Sequence, residues 1–273
     1  MRLLFFIRKL PDSGTAIIVM HLLIAFLAIF LLPQTTLEKE IPRPTPLPDI
    51  LEFVDEDANS ARFTDVEQKT IHTLKAEYKS AIDSSLATIR EQDLKLRDLS
   101  KQNAPLDEIE AFNKLVIKER IHLSTLKLKF RDDLIGIIGD AKWNSIAQQY
   151  DEVHPYELGI VVERISPIPN YMIVVYYIEG LELTDDQKQE IDHWNEEGHY
   201  KAMLMLSAMA EKEQEIRTLA LENAPKADVI KAVKALEMMR HKLLITKTDC
   251  RDYIKDKVLT AGQWDLMIAE MDQ

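Results

Sequence analysis

The sequence predicts an all-α protein: an N-terminal transmembrane helix followed by two repeated long helical hairpins, with a possible short β-hairpin between them. Three observations support this prediction: only 7 glycines in 273 residues, long stretches without proline or glycine, and an internal repeat. Doubly wound sheets and turn-dense β-barrels use more glycine than this. Charged residues make up 29% of the chain and aromatic residues 7%, which is typical of a helical, well-solvated protein.

The charge balance and the cysteine count exclude several classes of function. The chain has 34 Lys and Arg against 46 Asp and Glu, a net charge of −12. Nucleic-acid binding needs clustered basic residues, so we expect no nucleic-acid partner. Cys250 is the single cysteine, which excludes an internal disulfide and a cysteine-based zinc cluster. No nucleophile elbow, glycine-rich loop, HExxH motif or catalytic acid pair stands out, so we expect no enzyme, no small-molecule substrate and no cofactor.

Residues 1–33 are predicted to hold a transmembrane anchor. Ala16 to Leu32 form an uncharged run that follows three basic residues and one acid. This run is at the short edge of a membrane span and longer than a usual signal-peptide core. No small-x-small cleavage site follows, which favours an uncleaved anchor over a cleaved signal peptide. With the N-terminus cytoplasmic by the positive-inside rule, we expect a single-pass protein of the bacterial inner membrane, with most of the chain in the periplasm.

Residues 34–62 are predicted to be a tether. Residues 41–48 read IPRPTPLP, with four prolines in eight positions. Such a composition is typical of an extended, semi-rigid spacer. The acidic stretch from Glu52 to Asp57 continues it, so the folded part should begin near Phe63.

Residues 63–152 and 183–273 are predicted to be two copies of one helical unit. A shift of 120 residues aligns Thr64–Lys142 with the second copy without a gap. The matches include Asn103-Ala104-Pro105 with Asn223-Ala224-Pro225, Arg120 with Arg240, Arg131-Asp132 with Arg251-Asp252 and, after one inserted residue, Trp143 with Trp264. A repeat of this kind indicates a fold built from one duplicated unit.

Each unit is predicted to be two long helices followed by a shorter one. No Pro or Gly interrupts Thr64 to Gln102, and Thr64 with Glu67 three residues later is a capping box. Asn103 and Pro105 then end this helix and start the next. Apolar residues three and four apart along the second helix form a seam along which helices pack antiparallel or dimerise. The seam residues are Ile109, Phe112, Val116, Leu123, Leu126, Phe130 and Ile137 in the first unit and Val229, Ala232, Leu236, Met239, Leu243 and Cys250 in the second.

Residues 153–182 separate the two units and are predicted to contain a β-hairpin. Leu158–Val162 and Tyr171–Ile178 are rich in β-branched and aromatic residues, with two prolines between them. An isolated hairpin is marginally stable, so it must pack on the helices, pair with another chain or touch the membrane surface. The alternative is that Tyr171–Ile178 leads into the next helix.

The second unit contains the motif Leu-Thr-x-x-Gln twice. The two copies are Leu183-Thr184-Asp185-Asp186-Gln187 and Leu259-Thr260-Ala261-Gly262-Gln263, the latter followed by Trp264. The threonine caps a helix, the glutamine reaches back to the cap, and the leucine takes the hydrophobic-staple position. Two copies that bracket a helical hairpin in an exported chain resemble the LTXXQ family, which includes Spy-like and CpxP-like periplasmic chaperones and related metal-resistance sensors.

The resemblance covers residues 183–273, and it reaches 63–152 through the internal repeat. In the first unit the motif has decayed to Phe63-Thr64-Asp65-Val66-Glu67, and the second site, Gly139–Trp143, keeps little but the tryptophan. Family members are helical hairpins that dimerise into a cradle and hold unfolded clients or a stress-sensor domain without ATP. The resemblance therefore implies two tandem units that form this cradle within one chain.

Three features depart from the family pattern: the anchor, the spacer between the units and the charge. Residues 34–273 carry 31 basic and 45 acidic residues, because Arg2, Arg8, Lys9 and Asp12 precede them. The better-known chaperones of the family have a basic concave face instead. This difference gives weight to recruitment by a membrane complex.

Methionines of the second unit and apolar spacer residues are the candidates for contact with a client or partner. Methionine adapts to many partners, but it also binds Cu(I) and is a common residue of helical cores. The candidates are Met203, Met205, Met209, Met238, Met239, Tyr171, Val174 and Tyr176.

Three histidines of the second unit are candidate metal ligands. His193 and His199 are six residues apart, about 240° around a helix, so they share an ion only if the helix breaks at Gly198. His241, on the next helix, is the third candidate, and the alternative is that all three are solvated or capping side chains. Cys250 lies on the seam and is expected to be buried, with a disulfide-linked dimer as the alternative.

Three functions remain open at this point. The first is a membrane-anchored, ATP-independent chaperone-like protein that holds unfolded or stress-related envelope proteins in a helical cradle. The second is a structural or regulatory subunit that docks on one membrane complex or sensor. The third is a periplasmic metal sensor. The expected partner is a protein, either an unfolded client or a dedicated partner, and a homodimer is a further candidate.

Overall fold

The computed structural model of the chain describes residues 45–54, 62–156 and 166–271, except for the side chains of Glu197, His199, Tyr200 and Met203. Within these ranges the chain forms helices and turns without any strand, which confirms the all-α class. The helices are α1 (Ile50–Phe53), α2 (Asp65–Lys101), α3 (Leu106–Ile138), α4 (Asp140–Val153), α5 (Tyr171–Val174), α6 (Asp185–Leu221), α7 (Lys226–Tyr253), continued by a π-helical turn (Ile254–Val258), and α8 (Ala261–Glu270).

Local sequence explains where the long helices turn. Asn103 and Asn223 adopt left-handed backbone conformations, with φ of 57° and 58°. Asparagine tolerates this conformation better than most residues other than glycine. Pro105 and Pro225 then precede α3 and α7 as their N-caps. The repeated Asn-Ala-Pro block is therefore the tight turn of each helical hairpin.

The two units contact each other as the subunits of a twofold dimer do. Arg131 of α3 donates to the carbonyl oxygens of Ala220 and Ala224, at 3.2 and 2.9 Å. Arg251 of α7 donates to the carbonyl oxygens of Ser100 and Ala104, at 3.3 and 2.9 Å. Each residue of the second set is the repeat equivalent of a residue of the first set, and the two units have exchanged roles. Such reciprocity defines an isologous interface. Because the C-terminal part of α3 contacts the turn before α7, and that of α7 contacts the turn before α3, the two helices run antiparallel.

A buried strap precedes the helical hairpin in each unit. Strap 1 (residues 45–54) reads TPLPDILEFV and strap 2 (residues 166–175) reads SPIPNYMIVV. Each begins with a hydroxyl group that accepts a hydrogen bond from the backbone two residues later, Leu47 N to Thr45 Oγ1 and Ile168 N to Ser166 Oγ, both 3.3 Å. Each continues into a helical turn, α1 or α5, whose apolar side chains are buried except for the partly buried Ile173. The repeated unit therefore includes these straps.

Strap 1 lies in the segment predicted to be a tether. It bends at residues 45–47 before the helical turn α1, and Leu47, Ile50, Leu51, Phe53 and Val54 are buried against the helices. The packing has a polar component too, since Asp49 accepts a hydrogen bond from Lys127 of α3 at 2.9 Å. Residues 45–54 are thus part of the fold, because their apolar side chains find a partner surface that a solvated spacer lacks.

The β-hairpin prediction is wrong for Tyr171–Ile178. Tyr171–Val174 form the helical turn α5, and turns follow. The Tyr171 ring stacks on Trp264 with centroids 5.5 Å apart, and its hydroxyl lies 3.0 Å from Ser100 Oγ. These contacts with distant helices override the β-propensity of the segment, since that propensity depends on context. The other predicted strand, Leu158–Val162, lies outside the described residues.

No helix in the described ranges is both long and apolar enough to cross a membrane. The predicted anchor, Ala16–Leu32, lies outside these ranges. The core divides into three clusters. One surrounds Trp143 in the first unit, and one surrounds Trp264 in the second unit but also contains Leu96, Ile109 and Val116 of the first. The third, which we call the cluster between the units, consists of α6 and α7 residues packed with Leu47 and Leu128 of the first unit.

Candidate functional site

The two Leu-Thr-x-x-Gln motifs lie side by side, where α6 and α8 begin. Oε1 of Gln187 and of Gln263 accepts the backbone N–H of Thr184 and Thr260, at 2.9 and 3.0 Å. Nε2 of Gln187 donates to the Val258 carbonyl and to Gln263 Oε1, both at 2.7 Å. Nε2 of Gln263 donates to the Leu181 carbonyl at 3.0 Å.

This geometry explains why the motif uses glutamine. Each side chain must accept at its own helix cap and donate to a carbonyl of the neighbouring motif, and glutamate has no hydrogen to donate when ionised. Leu259 and Trp264 are buried behind the pair, and Leu183 packs against the same cluster. The motif therefore joins two helix ends and leaves little of itself to contact a partner.

The first unit replaces the amide pair by an ion pair. Glu67 stands at the position of Gln187, and Lys142, directly before Trp143, stands at the position of Gln263. Lys142 Nζ lies 2.6 Å from both carboxylate oxygens of Glu67, and Thr64 N donates to the same carboxylate at 2.8 Å. The hydrogen bond from Lys142, followed by those from Thr64, lowers the pKa of Glu67 to about 2.

Lys142 is a motif residue that sequence reasoning missed. Its counterpart, Gln263, differs from it in chemistry, so the alignment showed no match. The signal was the inserted residue: a shift of 121 residues, required to pair the two tryptophans, also pairs Lys142 with Gln263. The same shift aligns the two straps.

The residues predicted to contact a client fall into different environments. Three are buried in the core: Tyr171, Val174 and Met209. Two are partly buried against the cluster between the units: Met205 and Met239. Two are exposed: Met238 at 53% and Tyr176 at 45%. The Met203 side chain is not among those that the structure describes. A client bound to the folded protein therefore cannot reach the first three, which are core residues because apolar neighbours enclose them.

The N-terminal half of α6 lies in an open part of unit 2. In unit 1 the corresponding face of α2 is buried at Ile71, Tyr78, Ile82, Ser85 and Ile89. On α6 the first and last of these positions, Ile191 and Met209, are buried. The intermediate positions Gly198, Ala202 and Met205 are only partly buried. We call the face formed by Trp194, Gly198, Ala202 and Met205 the half-open seam.

Smaller residues account for the opening. In unit 1, Tyr78 and Phe130 fill the space between α2 and α3 that corresponds to the half-open seam. Their ring centroids are 5.7 Å apart at an interplanar angle of 71°. Gly198 and Cys250 occupy their positions in unit 2. Without these two aromatic rings, less side-chain volume fills the space between α6 and α7.

Trp194 lines the half-open seam and is only partly buried. A Cβ atom at Gly198 would lie 3.1 Å from the Trp194 ring, so glycine permits this close approach. Tyr253 of α7 faces the indole with a centroid distance of 5.7 Å, and its hydroxyl donates to the Glu190 carboxylate. Leu204, which precedes Met205 in α6, is 54% exposed. The site is an apolar face with the carboxylate of Glu190 beside it.

The histidines do not form a metal site in the described part of the chain. His193 is exposed, and the His199 side chain lies outside the description. His241 is held between the units: its Nδ1 accepts from Asn113 Nδ2 at 3.0 Å, and its Nε2 lies 3.3 Å from Glu110 Oε1. Among the described residues no group of three His, Cys, Asp or Glu is arranged to hold a metal ion.

Cys250 is a buried free thiol. Burial raises its pKa to about 12, so it is protonated and unreactive at neutral pH in the folded protein. This environment disfavours the disulfide-linked dimer, which was the alternative for this residue.

The chain was compared with family models, curated proteins and solved structures. No family model, no curated protein and no solved structure matches it. The resemblance to the LTXXQ family therefore rests on the two motifs and the internal repeat.

Proposed function

We propose that the chain is an ATP-independent polypeptide-binding protein of the LTXXQ type, anchored in the bacterial inner membrane, which holds unfolded or stress-related envelope proteins in the periplasm. The observation that carries this proposal is the half-open seam of unit 2. Apolar surface left open in an otherwise closed repeat marks an interaction site.

The comparison of the two units supports this proposal. Unit 1 demonstrates that the same helical hairpin closes when Tyr78 and Phe130 are present. Unit 2 has Gly198 and Cys250 at these positions, and Trp194 and Met205 line the opening. The exposed Leu204 directly precedes Met205 in α6. Flexible methionine and aromatic side chains suit a surface that accepts varied apolar segments.

The reciprocal contact of the two units also supports it. The family forms its cradle from two chains, whereas here Arg131 and Arg251 tie two units of one chain together. A cradle of this type needs no second copy. Binding then requires neither a nucleotide nor an oligomerisation step.

A second candidate function is a dedicated structural or regulatory subunit of one membrane assembly. Adjacent exposed tyrosines directly after strap 2 favour it: Tyr176 and Tyr177 are 45% and 65% exposed. Tyrosine is enriched at protein interfaces because its ring is apolar and its hydroxyl remains hydrogen-bonded.

Light scattering of an aggregating unfolded protein tests the first proposal. The full chain is placed in lipid nanodiscs and added at substoichiometric to equimolar ratios without ATP, with empty nanodiscs as the blank. Suppression near one to one supports it. No suppression by a well-folded, helical protein contradicts it, and capture of one stoichiometric membrane partner would then select the second candidate.

Two matched variants locate the site. Leu204→Lys adds charge at an exposed leucine next to Met205 of the half-open seam, whereas Leu94→Lys adds it at a leucine of α2 that is 45% exposed. We expect the first to reduce suppression several-fold and the second to leave it unchanged. Equal loss from both variants would mean that the seam is not the binding site.

A further inference from the structure

A cluster of five buried charged residues lies where α3 and α7 cross. Arg120 Nη2 donates to both carboxylate oxygens of Asp93 at 2.9 Å, and Arg240 Nη2 donates to Glu213 Oε1 at 2.7 Å. These two pairs are equivalent under the repeat. Glu237 contacts both arginines: Oε1 lies 2.7 Å from Arg240 Nη1 and Oε2 lies 3.5 Å from Arg120 Nη1.

Glu237 breaks the symmetry of this cluster. Its counterpart in unit 1 is Ile117. Each of the five charged residues is at most 8% exposed. The junction of the two units therefore holds two guanidinium groups and three carboxyl groups, with the third acid supplied by unit 2 alone.

A second asymmetry flanks the cluster. On one side His241 of unit 2 meets Glu110 and Asn113 of unit 1. The equivalent positions on the other side are Ile121, Ile230 and Val233. These three belong to the apolar cluster between the units. The interface thus has a polar half and an apolar half. In each half, side chains of one unit meet side chains of similar polarity from the other unit.

We propose that the α3–α7 interface accepts a first unit only against a second unit, so that the duplicated chain pairs its own two halves and excludes pairing of identical units from two copies. The α3 surface of the first unit is covered by α7 of the second unit of the same chain, and the α7 surface is covered by α3. This goes beyond the proposed function, because it concerns assembly and not client binding.

Pairing of identical units leaves groups unmatched. Two first units would place Ile121 against Glu110 and Asn113 at both ends of the interface. Two second units would bring two copies of Glu237 to one buried axis, so that four carboxyl groups face two arginines. They would also bury His241 against Ile230 and Val233. Unpaired buried charges and polar groups are costly, and a single polar residue at a helical seam is a known means of selecting partners.

Transposing the axial acid tests the energetic argument in the full chain. Ile117→Glu alone adds a fourth carboxyl group, and we expect its melting temperature to fall on the order of 10 °C. Ile117→Glu combined with Glu237→Ile moves the acid to the other unit and restores its contacts by symmetry. We expect the double variant to recover most of the loss.

Two results decide this test. A double variant no more stable than Ile117→Glu would overturn the proposal. The control exchanges exposed residues one position further along the same helices, Lys118→Met with Met238→Lys, and should leave the melting temperature unchanged.

A disulfide reporter tests the pairing directly. In a Cys250→Ser background, Ile117→Cys would face its own copy across the axis of two paired first units. The contacts Asn113–His241 and Arg120–Glu237 place residue 117 opposite residue 237 of its own chain. We therefore expect no disulfide-linked dimer on mild oxidation. Ile117→Cys with Glu237→Cys should instead form a bond within one chain. Rapid formation of the linked dimer by the single-cysteine variant would overturn the proposal.

Discussion

Single buried side chains show how the two units have diverged. Lys127 and Lys247 are equivalent, and each Nζ reaches the strap of its unit. Lys127 finds the carboxylate of Asp49 at 2.9 Å. Lys247 donates to the Ile168 carbonyl at 2.8 Å, and Asn170 stands where unit 1 has the aspartate. Burial lowers the pKa of Lys247 from its usual 10.5 to about 8.

Asn170→Asp should raise the pKa of Lys247 and stabilise the fold near neutral pH. The lowered pKa means that the folded state disfavours the charged form, so wild-type stability should rise between pH 8 and 10.5, as the amine loses its proton. A carboxylate at position 170 should remove most of this rise. Urea unfolding at several pH values measures it, and Asp49→Asn is the matched control, expected to act in the opposite direction. An unchanged pH dependence in Asn170→Asp would contradict the prediction.

Helix ends are the elements that sequence predicts best. Capping boxes at Thr64, Thr184 and Thr260 are visible in the sequence and present in the structure, because each involves residues only three positions apart. The contact between two caps is different. It joins residues 75 or 76 positions apart, and only the fold reveals that Gln187 meets Gln263 and that Glu67 meets Lys142.

Gln187→Glu should destabilise the protein by about 1–3 kcal/mol, because a carboxylate replaces the group that donates to the Val258 carbonyl. Adding Gln263→Lys recreates the Glu67–Lys142 pair and should restore most of the loss. Urea unfolding of the two single variants and the double variant gives the coupling free energy. A double variant no more stable than Gln187→Glu would show that the two motif sites are not interchangeable.

At the scale of the whole molecule, duplication creates a dimer-like interface inside one chain. Arg131 and Arg251 each satisfy two carbonyl oxygens at the opposite unit's hairpin turn, and each also contacts the aspartate that follows it. Their burial, at 4% and 1% exposure, makes these hydrogen bonds shielded from water. If the two sites are equivalent, loss of either arginine should lower the free energy of unfolding by the same amount.

Arg131→Met and Arg251→Met should each cost several kcal/mol, since each removes a charged side-chain donor from two carbonyl oxygens of the opposite unit. The two losses should be similar, because the contacts are equivalent. Arg90→Met, at an exposed arginine of α2, is the control and should change little. Thermal or urea unfolding measures all three. A large loss from only one of the two buried arginines would contradict the symmetric interface.

The sequence by itself determined the features whose causes are local: the all-α class, the helix caps, the Asn-Ala-Pro turns and the repeat. The tertiary structure decided the rest. Strap residues such as Leu47 and Tyr171 fold because helices distant in the chain cover them, and composition alone predicted a tether and a strand there. Packing between helices leaves the seam half open at Gly198. It also brings Glu237 into contact with Arg120 and Arg240. Local patterns do not encode such contacts, because the partner residues are far away in the chain and differ between the two units.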